Sequence, residues 1–150
     1  MVMETVDVFK TRNIRITPQR IGIYEVLKGA KTHLTAEEIY EKITSKFPAL
    51  SLATVYSVLA TLREKNLVRE IRIKPEKSYF DLRVDGHHHF LCRICGKIYD
   101  VDIPFCDVLK KKRVGEFIIE EFQGYFYGVC KECRDENNDA GDREFKRRGR

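Results

Sequence analysis

The chain has 150 residues, 43% hydrophobic and 34% charged, a foldable composition with room for one ordinary domain or two small ones. No apolar run reaches membrane-spanning length, and the N-terminus MVMETVDVFK carries acids in place of a signal peptide, so the expectation is a cytoplasmic protein with no membrane partner. The formal net charge of +5 lies entirely in residues 1–80, with 14 Lys+Arg against 9 Asp+Glu, whereas residues 81–150 hold 14 of each; that asymmetry suits a front half that binds a polyanion.

The front half reads as helices. TVDVFKTR is a short amphipathic start. In ITPQRIGIYEVLKG, Thr17 can cap, Pro18 fits the first helical position, Ile21, Tyr24 and Leu27 recur at helical spacing, and Gly29 stops the helix. In LTAEEIYEKITSKFP, Thr35 and Glu38 form a capping box, Ile39 and Ile43 share an apolar face, and Pro48 forbids continuation. SLATVYSVLATLREKNL restarts at Ser51, with Val55, Leu59 and Leu62 facing inward. VREIRI and SYFDL, separated by a Pro-containing turn, predict a hairpin. Three helices and a two-stranded hairpin make a winged helix-turn-helix over residues 1–82. Residues 83–86, RVDG, are a plausible hinge. Beyond it HHHFLC and KIYDVDI read as strands, PFCDVLKKKRV as a short helix, and EFIIEEFQGYFYGVC as two strands joined at Gly124. The expected fold class is therefore α+β, a winged helix-turn-helix followed by a small α+β domain over 87–134. Residues 135–150 are nearly all polar and read as a disordered tail.

Five cysteines in a cytoplasmic chain point to metal before disulfides. Cys92-Arg-Ile-Cys95 and Cys130-Lys-Glu-Cys133 are two CxxC pairs, and each can wrap a tight turn around one ion. Together they offer four thiolates, a tetrahedral set that favours structural zinc and leaves no open position for chemistry. The competing readings are redox dithiols or an iron–sulfur cluster. A redox CxxC usually stands alone at a helix start, whereas here each pair lies in or beside a strand segment. Cys106, in IPFCDVL, reads as a small buried hydrophobe.

Residues 87–89 are three histidines. On an extended strand His87 and His89 share one face while His88 and Cys92 take the other, so the pair points away from the thiolates. Further ligands can come from Asp81 at the end of the wing, Asp100 on the next strand, and His33 before the capping box. A mixed nitrogen and oxygen set of this kind suits Fe(II) or Mn(II). A solvated turn without metal remains the open alternative, and His88 is set aside as a non-ligand.

ITPQR, LTAEEIY, SLATVYSVLATL, the HHH stretch running into CRICGKIYD, and GVCKEC together resemble the ferric uptake regulator (Fur) family across residues 10–134. The resemblance implies a dimeric, metal-dependent bacterial repressor, not an enzyme. It implies a winged-helix DNA-binding domain, a C-terminal dimerisation domain, one structural Zn2+ per protomer, and a palindromic double-stranded operator. Within the family the pattern looks most like the peroxide-sensing PerR branch, whose three histidines and two aspartates map onto His33, Asp81, His87, His89 and Asp100. Iron-sensing members usually carry glutamate where Asp100 stands, and a further histidine that this chain lacks. Zinc-sensing members often carry a cysteine near the position of Asp81. An iron- or manganese-responsive repressor is therefore the alternative, and a zinc-responsive one the next. For the PerR type the resemblance implies Fe2+-dependent oxidation of His33 or His87 by peroxide, with Mn2+ supporting repression with little such oxidation.

The SLATVYSVLATL helix is expected to read DNA through Ser51, Ala53, Thr54, Tyr56 and Ser57, and the family's DNA-contacting tyrosine maps to Tyr56. Arg20, Lys65 and Arg69 are candidates for phosphates, which would make binding salt-dependent. Two rival classes remain. Against a metal-dependent enzyme using the His/Asp site stands the lack of a general base in a motif such as HExxH and of a nucleophile arrangement. A zinc-ribbon interaction module leaves the winged-helix half unexplained.

Overall fold

The computed structural model describes residues 2–84, 87–102, 113–120, 122 and 124–136. The chain separates into two compact units, Met1–Asp85 and Gly86–Arg150.

The first unit runs α1 (Val2–Thr11), α2 (Pro18–Lys28), β1 (Leu34–Thr35), α3 (Ala36–Thr44), α4 (Leu52–Glu64), β2 (Arg69–Lys74) and β3 (Lys77–Asp81). Each helix boundary has a local cause. Thr17 caps α2 by accepting the Arg20 N–H, with Pro18 at the first position, where no N–H partner is needed. Thr35 and Glu38 close a reciprocal capping box on α3, and Ser51 accepts the Thr54 N–H to start α4. Ile39, Ile43, Val55, Leu59 and Leu62 are buried, as their spacing predicts. On α2 the deepest residue is Ile23, with Leu27, while Ile21 and Tyr24 pack only partly; the apolar face is rotated from the one that Ile21 and Tyr24 suggest. One strand is absent from the sequence reading. β1 pairs antiparallel with β3 to give a three-stranded sheet, β1-β3-β2.

The second unit contains β4 (His88–Cys92), β5 (Ile98–Val101), β6 (Arg113–Val114), β7 (Phe117–Ile118), β8 (Tyr125–Gly128) and α5 (Lys131–Glu136). β4 is the central strand, antiparallel to β5 and parallel to β8. Three sequence expectations change here. β7 pairs with β6 through a turn at Gly115 (φ +57°), so Gly124 does not join two paired strands. A Cβ at position 124 would collide with Nδ1 of His88, so the glycine serves close packing instead of a turn. Helix α5 also runs two residues past Arg134, into the stretch read as tail. Arg113 and Val114, read as the end of a helix, form a strand. Cys106, the rest of that helix, hinge residues 85–86 and the tail from 137 lie outside the described residues.

Candidate metal centres and a candidate DNA-binding helix

Cys92 closes β4, Cys130 follows β8, and Cys133 sits on α5. Pairing of β4 with β8 puts Cys92 opposite Gly128, so the parallel ladder carries the second CxxC to the first. Gly96, at φ +71°, lets the first knuckle turn back, its N–H donating to the Cys92 carbonyl at 2.9 Å. The ligand atoms of Cys92, Cys95, Cys130 and Cys133 all lie within 4.8 Å of one another. Four sulfurs around one zinc, at a Zn–S distance of about 2.3 Å, would stand about 3.8 Å apart. The Cys95 and Cys130 sulfurs are 3.8 Å apart, so donor type and spacing both fit the ion.

The electrostatics also suit a cation. Burial works against ionisation of Cys92, yet the N–H groups of Cys130, Cys95 and Ile94 pull its thiol down to about 6. Burial, then hydrogen bonds to Cys130, Cys95 and Cys92, push the Cys133 thiol up to about 12. The Cys133 thiol thus does not readily ionise beside the other sulfurs without a positive charge at their centre. Outside them, the Tyr99 hydroxyl donates to Glu132 at 3.2 Å, and its ionisation is suppressed first by a hydrogen bond to Cys130. Sequence reasoning missed this outer pair, since Tyr99 and Glu132 meet only through tertiary packing. One argument from the sequence also needs correction. The second CxxC does follow a strand and start a helix, as redox dithiols do; it is the convergence of four sulfurs that sets it apart.

The histidines behave as strand parity predicts. The Nε2 atoms of His87 and His89 are 3.0 Å apart, both rings buried. Asp100 lies opposite His89 in the β4–β5 register, its Oδ1 3.5 Å from Nε2 of His87 and 3.7 Å from that of His89. His88 turns the other way, edge-on to Phe122 and Phe126. In the first unit, β1 pairs Leu34 with Phe80, and the same register carries His33 to Asp81, whose Oδ2 is 3.6 Å from His33 Nε2. Each unit thus assembles imidazole and carboxylate without sulfur, a donor chemistry that fits Fe(II) or Mn(II).

On α4, Ala53, Thr54, Tyr56 and Ser57 are exposed while Val55, Val58 and Leu59 are buried, so the polar early turns face outward. Ser51 is exposed but engaged as the cap, and its Oγ lies 2.9 Å from Thr54 Oγ1. Arg20 donates to the Arg15 carbonyl at 2.9 Å, and Arg69 to that of Val84 at 3.2 Å. Lys65 caps the end of α4. Glu70 on β2 accepts from Arg63 of α4, from Arg72 and from Ser78, tying α4 to the β2–β3 hairpin. Its carboxylate was not singled out in the sequence, and no short-range signal marks it.

Comparison with known proteins adds a separate line. Residues 11–124 match the family model described as Ferric uptake regulator family. The peroxide operon regulator of Bacillus subtilis (strain 168) is 38% identical over 137 residues, covering 90% of this chain and 94% of its own. The peroxide-responsive repressor PerR of Staphylococcus epidermidis is 36% identical, covering 90% and 91%. Among solved structures, the Helicobacter pylori ferric uptake regulator Fur, described as having three functional metal binding sites, superposes with a TM-score of 0.68 at 25% identity, covering 89% and 91%. PerR from Streptococcus pyogenes gives a TM-score of 0.51 at 29% identity, covering 88% and 92%.

Proposed function

This chain belongs to the ferric uptake regulator family, and from that premise we propose that it is a metal-dependent DNA-binding transcriptional repressor that senses peroxide. The observation that carries the regulatory half of this reading is the buried His87–His89 pair with Asp100 beside it, a sulfur-free set next to a separate tetrathiolate. The four cysteines hold structural zinc. His33 and Asp81 from one unit, and His87, His89 and Asp100 from the other, serve a single Fe2+ or Mn2+, as the family resemblance implies. A ligand set divided in this way makes the angle between two DNA-binding units depend on the ion, and a dimer must match half-sites in successive major grooves. Exposed Phe117, Ile118, Phe126 and Tyr127 support an apolar contact with a second copy. The protein acts in the cytoplasm on a palindromic operator; among the described residues no helix is long and apolar enough to cross a membrane.

Bound iron(II) would catalyse the reduction of peroxide, with a ligand imidazole as the net two-electron donor. One peroxide oxygen adds to a ligand imidazole, at His33 or His87, and the other leaves as water. The modified ring is a poorer ligand, so the metal-dependent state is lost and DNA released. His88 is turned into the Phe122–Phe126 contact and escapes. Peptide mass spectrometry after a short pulse of dilute peroxide tests this. The expected result is one added oxygen on the peptides carrying His33 or His87 with iron, and none with manganese.

A second reading is a repressor that senses iron or manganese availability, favoured by the fold match to the Helicobacter pylori Fur structure. Unmodified histidine peptides at confirmed iron occupancy, with operator binding that follows metal concentration, would select it.

A further inference from the structure

The hydroxyl of Tyr56, on the outward face of α4, donates to the carboxylate of Glu37 at 2.6 Å. Glu37 stands in the first turn of α3, where unpaired backbone N–H groups favour a negative charge. Both residues are exposed, so nothing apolar compels the pairing. The bond therefore orders a side chain that would otherwise sample several rotamers, and it occupies the only donor that tyrosine has.

Resting on the repressor reading above, we infer that Glu37 is a positioning residue for DNA recognition. It fixes the Tyr56 ring before DNA arrives and keeps its hydroxyl from the phosphates, so that Tyr56 acts on the bases through its ring. Ordering the side chain in advance removes an entropic cost of forming the specific complex. Non-specific binding, which depends on phosphate charge, should not benefit. The Glu37 carboxyl is held below its ordinary range first by the Tyr56 hydroxyl and then by its own backbone N–H, so it is ionised at neutral pH.

The test uses the full manganese-loaded chain. Duplexes are selected from a randomised library by the parent protein, and affinities for the selected and a scrambled duplex are measured by fluorescence anisotropy. Glu37→Ala and Tyr56→Phe should each lower the ratio of the two affinities by roughly three- to tenfold, the effect of one hydrogen bond on a specific contact. The double variant should be no worse than either single one, because both remove the same bond. Glu37→Gln keeps an acceptor and should stay within about twofold of the parent. Thermal melting confirms that each variant is folded. Additive losses, a loss in Glu37→Gln equal to that in Glu37→Ala, or tighter binding of Glu37→Ala to both duplexes would overturn the inference while leaving the repressor reading intact. Failure of the parent to enrich any duplex would instead remove the repressor reading and the inference with it.

Discussion

In the unit Met1–Asp85, Phe9, Ile23, Ile39, Ile43, Val55, Leu59 and Leu62 are buried and form one apolar cluster. In Gly86–Arg150 the buried described residues are Cys92, Cys130 and Cys133 with His87, His88 and His89. The first unit can fold by removing hydrocarbon from water, at about 25 cal/mol per Å2. Among its described residues the second has Phe90 and Tyr99 packed on three buried cysteines. Zinc held by those sulfurs would add ligand–metal bonds to this packing. Among the described residues, one chain thus holds a unit closed by hydrocarbon and a unit whose buried side chains are metal-ligand types.

The strongest way to break this contrast is to remove the zinc set. Cys130→Ser should abolish stoichiometric zinc and unfold the second unit, since structural zinc contributes about 10–16 kcal/mol in small zinc domains. Zinc analysis and limited proteolysis would read this, with the winged-helix unit surviving as a resistant fragment. An intact second unit without zinc would refute the coordination account.

Leu59→Ala addresses the other unit. Truncating this buried side chain should cost about 2–5 kcal/mol and lower the melting point of the winged helix while zinc content stays unchanged. Equal loss of zinc would show that the two units do not fail separately.

Asp100→Ala sharpens the division between the two metal sets. Manganese affinity should fall roughly a hundredfold or more, because even an outer-shell partner of a ligand is worth 10- to 100-fold. Zinc should remain, and titration with both ions would show whether the sets are independent.

The smallest effect concerns Glu70. Burial disfavours its charge, but Ser78, Arg72 and Arg63 outweigh burial and hold the carboxyl below its ordinary value. A carboxyl lowered on folding adds stability above its unfolded pKa, about 4.5, and loses it as pH falls through the folded value. Glu70→Gln should therefore cost about 1–2 kcal/mol at pH 7. Denaturant titrations should show the gap closing below about pH 4.5. A gap that is independent of pH would mean that shape, not charge, is what matters there.

The sequence alone determined whatever depends on neighbours in the chain. Thr17, Thr35 and Ser51 cap helices because the groups they satisfy lie within three residues. Alternation along a strand sufficed to separate His87 and His89 from His88 and Cys92. The CxxC spacing named the zinc ligands because each knuckle is local. Tertiary structure decided the rest. β1 is two residues long, too short to show a period, yet its register sets His33 against Asp81. The parallel pairing of β4 with β8 joins residues 36 apart, and no alternation announces a partner at that distance. Tyr56 finds Glu37, Glu70 finds Arg63, and Tyr99 finds Glu132 across elements whose approach is fixed by the core or the sulfur cluster. Such pairings follow from how the units pack, and a linear sequence carries no distance between residues that only packing brings together.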